Sequence, residues 1–300
     1  MSNWKLQIKQ FIQYLKIERG LSENTILAYQ NDIIKLEDFC VSENLQPQDI
    51  QLEHLQSFVA ALYDLGLSAR SQARIISGIK QFFEFLLLED TIKDDPSELL
   101  AMPQIGKKLP VFLTIEEIDQ LISAIDLSKP EGHRNKAILE TLYSCGLRVS
   151  ELVNLKFSDI FFEEGFLKVL GKGNKERLIP ISASVEKEIQ TYASHIRCHL
   201  PIQKGHEDFV FLNRRGKQLT RVMIFTIIKD LSEKIGLNKK IGPHTFRHSF
   251  ATHLIEGGAN LRAIQEMLGH ASITTTEIYT HLDTSYLREA IISFHPRNKK

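Results

Sequence analysis

The chain has 300 residues, of which 43% are hydrophobic and 25% charged, a composition that excludes an intrinsically disordered protein. Its 37 Lys and Arg residues equal its 37 Asp and Glu residues, so the overall charge does not indicate a nucleic-acid partner. However, residues 1–100 carry 9 basic and 15 acidic side chains, whereas residues 101–300 carry 28 and 22. We therefore expect any phosphate-binding surface to lie in the second part.

The three cysteines, Cys40, Cys145 and Cys198, are odd in number and widely spaced. This usage favours reduced thiols in a cytosolic protein over a disulfide framework or a zinc cluster. The sequence has no recognisable signal peptide and no apolar run long enough to span a bilayer. We therefore expect a cytoplasmic protein with no membrane partner.

The first hundred residues predict four amphipathic helices separated by short loops. The first runs from Trp4 to Arg19, Ser22 caps the second, the third covers Leu52 to Leu65, and Ser68 opens the fourth. Four short helices with brief loops predict a compact bundle. The basic residues of the fourth helix are equally compatible with a solvated face and with a DNA-facing one: Arg70, Arg74 and Lys80.

The next segment, 100–112, contains prolines, a glycine and a lysine pair, and it lacks the periodicity of its neighbours. We interpret it as a linker between an N-terminal helical domain, 1–99, and a second domain, 113–300. Thr114 and Glu117 form a capping-box pattern that opens the second domain. Further helices are predicted at Arg134–Cys145, Val149–Leu155, Val185–Cys198 and Val222–Ile235.

One stretch of the second domain, FLKVLGKGNKERLIPI, breaks the helical period. It alternates apolar and basic residues on both sides of Gly171–Asn174 and therefore predicts a β-hairpin with Lys172 at its tip. The fold class that follows is mainly α with a small β-sheet. Taken by itself, this tip is better interpreted as a flexible, solvated turn.

The stretch GPHTFRHSFATHL, residues 242–254, contains three histidines that could hold a metal ion or face a phosphate. A zinc-protease pattern would need a glutamate directly after His244, where this chain has Thr245. Arg247 would repel a metal but could donate two parallel hydrogen bonds to a phosphate. Phosphate is therefore the favoured ligand.

Residues suited to handling a phosphodiester occur in four separate motifs. They are Arg148 in SCGLRVSEL, Lys172 in the hairpin, His244 and Arg247 in HTFRHSFATHL, and His270 in LGHASITTTEIYTH, where Tyr279 follows nine positions later. The order, spacing and flanking residues of these motifs resemble the tyrosine recombinase, or phage integrase, family over essentially the whole chain. Within that family, the compact length and the stretch ERGLSENTILAYQNDI are most similar to the bacterial Xer recombinases.

The resemblance implies a helical core-binding domain followed by a mixed α/β catalytic domain, and it assigns a role to each motif residue. Tyr279 would be the nucleophile that forms a 3′-phosphotyrosyl DNA intermediate, and Arg148 and Arg247 would clamp the phosphate. Lys172 would be the general acid, while His244 and His270 would donate hydrogen bonds to the phosphate. These groups would suffice without a metal or another cofactor, and without ATP.

The same resemblance implies the partners and the cellular role. The substrate would be a double-stranded DNA recombination site, on which a second Xer-type recombinase completes a tetramer that exchanges strands through a Holliday junction. A DNA translocase of the FtsK type would trigger exchange during chromosome dimer resolution at cell division. Four alternatives stay open: a different Xer type, a mobile-element integrase, an enzyme like a type IB topoisomerase, and a DNA-binding regulator without catalytic activity.

Several neighbouring residues have two interpretations each. Glu151 either orients Arg148 or is an ordinary surface glutamate, and Tyr286 is the main competitor of Tyr279 as nucleophile. Cys145 is interpreted as a small buried residue, because no activating base accompanies the thiol. His248 and His253 are expected to serve packing or local hydrogen bonding.

The C-terminal segment DTSYLREAIISFHPRNKK predicts a helix with an apolar face. We expect this face to dock onto a neighbouring subunit. Packing against the same chain is the alternative.

Overall fold

The computed structural model describes residues 3–41, 43–106, 111–171, 175–269 and 285–298. The chain divides into two compact units, Met1–Lys108 and Leu109–Lys300. The predicted boundaries at 1–99, 100–112 and 113–300 stay a prediction. In the described part of the chain, no helix combines the length and the apolarity that crossing a membrane requires.

The first unit is a helical bundle, as the sequence predicts. Its helices are α1 (Asn3–Ile17), α2 (Glu23–Val41), α3 (Leu52–Asp64) and α4 (Ala69–Leu88), with a short 3-10 helix at Pro47–Asp49. Helix α4 is the centre of the bundle because it contacts α1, α2 and α3. Its Phe82 packs on Trp4 and Phe11, with ring centroids 6.0 and 5.3 Å apart. Arg74 binds the fully buried Asp32, so this guanidinium already has a structural partner.

The second unit combines eight described helices with one small sheet. In chain order its helices and strands are α5 (Ile115–Ser123), α6 (Pro130–Cys145), α7 (Val149–Asn154), β1 (Ile160–Phe161), β2 (Phe166–Leu170), β3 (Glu176–Pro180), α8 (Ala183–His195), α9 (Arg221–Lys234), α10 (Pro243–Gly257), α11 (Leu261–Leu268) and α12 (Ser285–Phe294). Short 3-10 helices lie at Phe157–Asp159, Arg197–His199 and Pro296–Asn298. The capping box predicted at Thr114 and Glu117 is present. The expected fold class, mainly α with a small sheet, is confirmed.

The sheet is antiparallel in the order β1-β2-β3. Strands β2 and β3 form the predicted hairpin, and Leu167 pairs with Ile179 while Val169 pairs with Arg177. These four residues are buried, and they define the face of the sheet that is turned towards the core of the unit.

The C-terminal helix α12 packs on its own chain, against α10 and α11. Its apolar residues Leu287, Ala290 and Ile291 are buried in a cluster that includes Phe250 of α10 and Met267 of α11. The structure therefore shows the alternative, packing against the same chain, because α10 and α11 present a matching apolar surface within the same unit. Docking onto a neighbouring subunit stays a prediction.

Candidate active site

Arg148 is positioned by a sharp turn between α6 and α7. Gly146 ends α6 with a φ angle of 57°, and a Cβ atom there would lie 2.4 Å from the ring of Phe250. Both the left-handed backbone and the close approach of that ring require glycine. The turn brings the chain into α7 with Arg148 as the residue preceding the helix, and the Arg148 side chain stays 30% exposed.

Glu151 occupies the first turn of α7, and its carboxylate is almost completely buried, with 2% of the side chain exposed. Its Oε2 accepts the backbone N–H of Arg148 at 2.7 Å, and its Oε1 accepts Nη1 of Arg148 at 2.8 Å. Burial alone would raise the pKa of this carboxyl, but the guanidinium of Arg177 and then that of Arg148 hold the pKa below its ordinary value. Glu151 therefore orients Arg148 and is not a surface glutamate.

Arg247 lies in α10, and its guanidinium is buried next to Gly146 and Glu151. Its Nη1 donates to the carbonyl of Gly146 at 2.8 Å, and its Nη2 donates to the carbonyl of Leu268. Nη1 also lies 3.9 Å from Oε2 of Glu151. Burial, followed by repulsion from Arg148, lowers the pKa of Arg247 to about 10, against the opposing attraction of Glu151. The guanidinium is thus fixed in place and surrounded by excess positive charge.

The C-terminus of α11 is bound by three guanidiniums on three successive carbonyls. Arg177 Nε donates to Met267 at 2.6 Å, Arg247 Nη2 donates to Leu268, and Arg148 Nη2 donates to Gly269 at 3.3 Å. Cations are favoured there because the carbonyl end of a helix carries partial negative charge. Together with Glu151 these three arginines form the arginine cluster, which has a net charge of +2. This charge is suited to binding an anionic group.

His244 lies in the first turn of α10, three residues before Arg247, and it is exposed. Residues three apart share a helix face, so His244 and Arg247 are neighbours at the N-terminal end of α10. An anion is favoured at that end of a helix. By contrast, His253 is buried and its Nδ1 lies 2.8 Å from the hydroxyl of Tyr143, which agrees with the predicted packing role.

Three of the six predicted site residues lie outside the described residues: Lys172, His270 and Tyr279. Their places in the site stay predictions. On either side of Lys172, the described residues Gly171 and Lys175 are joined by a hydrogen bond, in which the N–H of Gly171 donates to the carbonyl of Lys175 at 2.7 Å. Of the predicted set, the structure brings together Arg148 and Arg247, which both lie beside Glu151. It places His244 in the first turn of α10, three residues before Arg247.

Arg177 belongs to the same group of charged side chains, but no sequence motif singles it out. It is buried and lies on the face of β3 that is turned towards the core. A usable signal existed, because strand alternation places Arg177 on the same face as Ile179. A charged side chain on the apolar face of a strand needs a buried counter-ion, and Glu151 provides it.

Tyr286, the main competitor of Tyr279, and Cys145 both have structural contacts of their own. The hydroxyl of Tyr286, in α12, donates to the carboxylate of Glu266 in α11. Cys145 is fully buried, and burial raises the pKa of its thiol. The interpretation of Cys145 as a buried packing residue is confirmed.

Comparison with known proteins gives one consistent result for both units. Residues 111–285 match the phage integrase family, and residues 8–90 match the phage integrase N-terminal SAM-like domain. The chain is 43% identical over 291 residues to the tyrosine recombinase XerD of Staphylococcus haemolyticus, covering 97% of this chain and 98% of that protein. It is 42% identical to the tyrosine recombinase XerD of Staphylococcus aureus, again with 97% of this chain and 98% of that protein covered. These relatives are of the XerD type, which is the type that the sequence motifs most resemble.

Solved structures give the same picture at the level of the fold. The XerA recombinase is 32% identical, with 95% of this chain and 96% of that chain covered and a TM-score of 0.50. The XerH recombinase in a pre-cleavage complex with its difH substrate is 28% identical, with 94% and 83% covered and a TM-score of 0.67.

Proposed function

Because the chain belongs to the phage integrase family and is a site-specific recombinase of the Xer type, we propose that its cluster of arginines binds the scissile phosphate of a double-stranded DNA site. The observation that carries the proposal is the convergence of Arg148 and Arg247 on the buried Glu151. Two permanently charged guanidiniums held in fixed geometry fit the two non-bridging oxygens of a phosphodiester.

Cleavage transfers the phosphate from the DNA to a side chain. The Oη atom of Tyr279 attacks phosphorus, the bond to the 5′ oxygen breaks, and a 3′-phosphotyrosyl bond forms. The product ester retains the energy of the original diester, so the reverse attack by a 5′ hydroxyl reseals the strand without ATP. Negative charge builds up on the non-bridging oxygens during the attack, where Arg148 and Arg247 stabilise it.

Proton transfers complete the step. The phenol has an ordinary pKa near 10 and must lose its proton as it attacks, and His244 is the proposed acceptor. The departing 5′ alkoxide is strongly basic and takes a proton from Lys172, a contribution worth roughly 10²- to 10⁴-fold in rate. His270 donates a further hydrogen bond to the phosphate.

The assembly is part of the same proposal. XerH, which this chain resembles, was solved on its difH substrate before and after cleavage, which supports double-stranded DNA as the substrate here. A second Xer-type recombinase completes a tetramer, and a translocase of the FtsK type triggers exchange in the cytoplasm, where chromosome dimers form. Chromosome dimer resolution agrees with the name of the staphylococcal relatives.

Recovery of covalently bound DNA tests this function. The protein is isolated from cells under denaturing conditions, and the DNA that remains attached is sequenced together with the peptide that carries it. We expect a single short chromosomal site and a DNA adduct on Tyr279. Random DNA sequences would contradict site specificity, and the absence of any adduct would contradict the reaction itself.

A further inference from the structure

Arg177 connects the separate parts of the arginine cluster. Its Nη1 and Nη2 donate to Oε1 and Oε2 of Glu151, each at 2.8 Å, and its Nε donates to the carbonyl of Met267. The guanidinium therefore binds α7 through Glu151 and the end of α11 through Met267, while its own backbone belongs to β3. One buried side chain thus contacts both flanks of the phosphate clamp.

The backbone around this guanidinium is closely fitted to it. A Cβ atom at Gly269 would lie 3.1 Å from Cδ of Arg177, and the φ angle of Gly269 is 64°. A Cβ atom at Gly171 would lie 3.4 Å from Nη1 of Arg177. These glycines directly precede His270 and Lys172 in the sequence. The segments that lead into two proposed site residues are therefore both packed on Arg177.

The charge balance of the cluster gives Arg177 a second role. Glu151 is needed to hold Arg148, yet a carboxylate so close to Arg148 would cancel the charge that has to bind phosphate. Arg177 forms a two-pronged ion pair with the same carboxylate, which compensates this charge. Arg148 and Arg247 then keep a combined charge of +2 towards a phosphate whose charge grows during attack.

We infer that Arg177 is a positioning residue of the recombination reaction, which neutralises Glu151 and aligns the hairpin and the end of α11 with the arginine pair. It touches neither substrate nor reacting atoms. The inference rests on the proposed function and extends it to a residue outside the predicted site.

The test is a double-mutant cycle on Arg177 and Glu151, read out on a DNA substrate that carries a nick beside the scissile phosphate, so that the covalent adduct accumulates. Arg177→Met should slow adduct formation by about 10²-fold, the usual cost of a lost preorganised charge, while DNA affinity changes only a few-fold. Glu151→Gln combined with Arg177→Met should recover at least about tenfold of this loss, because removing the carboxylate restores the charge available to phosphate.

A neutral substrate separates positioning from simple destabilisation. With a methylphosphonate at the scissile position, the non-bridging charge is absent, so the deficit of Arg177→Met relative to the wild type should shrink by about tenfold or more. The matched control is Arg134→Met, which removes another buried guanidinium of the same unit, bonded to the carbonyl of Leu212. That variant should cleave both substrates at the wild-type rate once the folded fraction is matched.

The outcomes are distinguishable. If the wild type forms no adduct, the proposed function fails and the inference fails with it. If the wild type cleaves while Arg177→Met cleaves equally well, or the double variant is no faster than Arg177→Met, only the inference is overturned. If Arg177→Met does not fold, Arg177→Lys replaces it. Lysine keeps the charge but cannot donate two parallel hydrogen bonds to Glu151, so this variant should cleave at an intermediate rate. A wild-type rate would overturn the inference.

Discussion

At the scale of single residues, the two clamp arginines differ in how much folding depends on them. Arg148 is partly exposed, and Glu151 keeps Arg177 as a partner when Arg148 is removed. Arg247 is buried and supplies the donors for two buried carbonyls, those of Gly146 and Leu268. The same chemical role thus rests on two different structural environments.

We predict that Arg148→Ala and Arg247→Ala both slow DNA cleavage by at least about 10²-fold, since each removes charge from the phosphate clamp. Their stabilities should differ. Arg247→Ala should lower the free energy of unfolding by about 1–3 kcal/mol, because two buried carbonyls lose their donors. Arg148→Ala should change it by less than about 1 kcal/mol. Urea unfolding alongside the cleavage assay checks both; equal stabilities would contradict the assigned contacts.

The role of Lys172 can be tested by changing the leaving group. Lys172→Ala should slow cleavage of normal DNA by about 10²- to 10⁴-fold, but it should have little effect when sulfur replaces the bridging 5′ oxygen, because a thiolate leaves without a proton. Lys175→Ala, three residues away in the same hairpin, is the matched control and should slow neither substrate strongly. Equal slowing of both substrates by Lys172→Ala would reduce this lysine to a positioning role.

Residue types revealed the site motifs from the sequence, whereas the supporting contacts could not be read from it. Arg148 and Arg247 stand in recognisable motifs, and their meeting at Glu151 agrees with the orienting role considered for that glutamate. Arg177 stands outside these motifs, and a basic residue in a strand next to a lysine-rich turn gives no sign of a buried partner. Its burial depends on Glu151, 26 positions earlier in the chain, and on the carbonyl end of α11, 90 positions later.

At the scale of helices and strands, the predicted helices of both units are present, with boundaries shifted by a few residues. Helix α6 starts at Pro130 and not at Arg134, since proline is favoured in the first turn of a helix. Helix α8 ends at His195, and a 3-10 turn follows it. Strand β1 was not predicted because its two residues are too short for any periodicity to be visible.

Helix α12 shows what periodicity alone leaves undecided. An apolar helical face indicates that something covers the helix, but it does not identify the covering surface. Here the surface is formed by α10 and α11, which contribute Phe250, Leu254 and Met267 to the same cluster. The covering partner is therefore determined by long-range packing within the unit.

We predict that replacing either of two adjacent isoleucines of α12 by alanine has very different effects on stability. Ile291 is 1% exposed and Ile292 is 52% exposed. Ile291→Ala should lower the free energy of unfolding by about 2–5 kcal/mol, because it leaves a cavity in the cluster. Ile292→Ala should change it by less than about 0.5 kcal/mol. Urea unfolding of the two variants compares them directly, and similar losses would show that α12 does not pack on its own chain in solution.

At the scale of the whole molecule, the segment that contains His295 and Arg297 is held in the second unit by contacts with buried polar side chains. Arg297 binds Glu140 at 3.1 Å and also binds Asp119, and its guanidinium lies 5.4 Å from the ring centroid of Tyr143. The imidazole of His295 is fully buried beside Tyr143, with a centroid distance of 4.8 Å, and its Nδ1 accepts the backbone N–H of Arg297. His295 and Arg297 are thus part of the fold of this unit.

This arrangement makes stability depend on pH. Burial, followed by the charge of Arg297, lowers the pKa of His295 to about 3, whereas the unfolded chain has its ordinary value near 6.5. The unfolded state therefore binds the proton first, and stability is lost as the pH falls from 6.5 towards 3. Between pH 7.5 and 5 the loss attributable to His295 should be about 2 kcal/mol.

Urea unfolding of the wild type and of His295→Phe across this range provides the measurement. The phenylalanine has a similar shape and does not titrate, so its stability should vary with pH by about 2 kcal/mol less than that of the wild type. His253 also has a lowered pKa, caused mainly by burial, and accounts for part of the remaining slope. Identical slopes for both proteins would contradict a neutral, buried His295.

Replacing single hydroxyl groups is the most direct test of whether this chain cuts DNA by covalent attachment through Tyr279. Tyr279→Phe should abolish the covalent protein–DNA adduct that survives denaturant while leaving binding to the site nearly unchanged, because affinity comes mainly from phosphate contacts. Tyr286→Phe, the matched control seven residues away, should still form the adduct. An adduct formed by Tyr279→Phe, or its loss in Tyr286→Phe alone, would contradict the assignment of Tyr279 as the nucleophile.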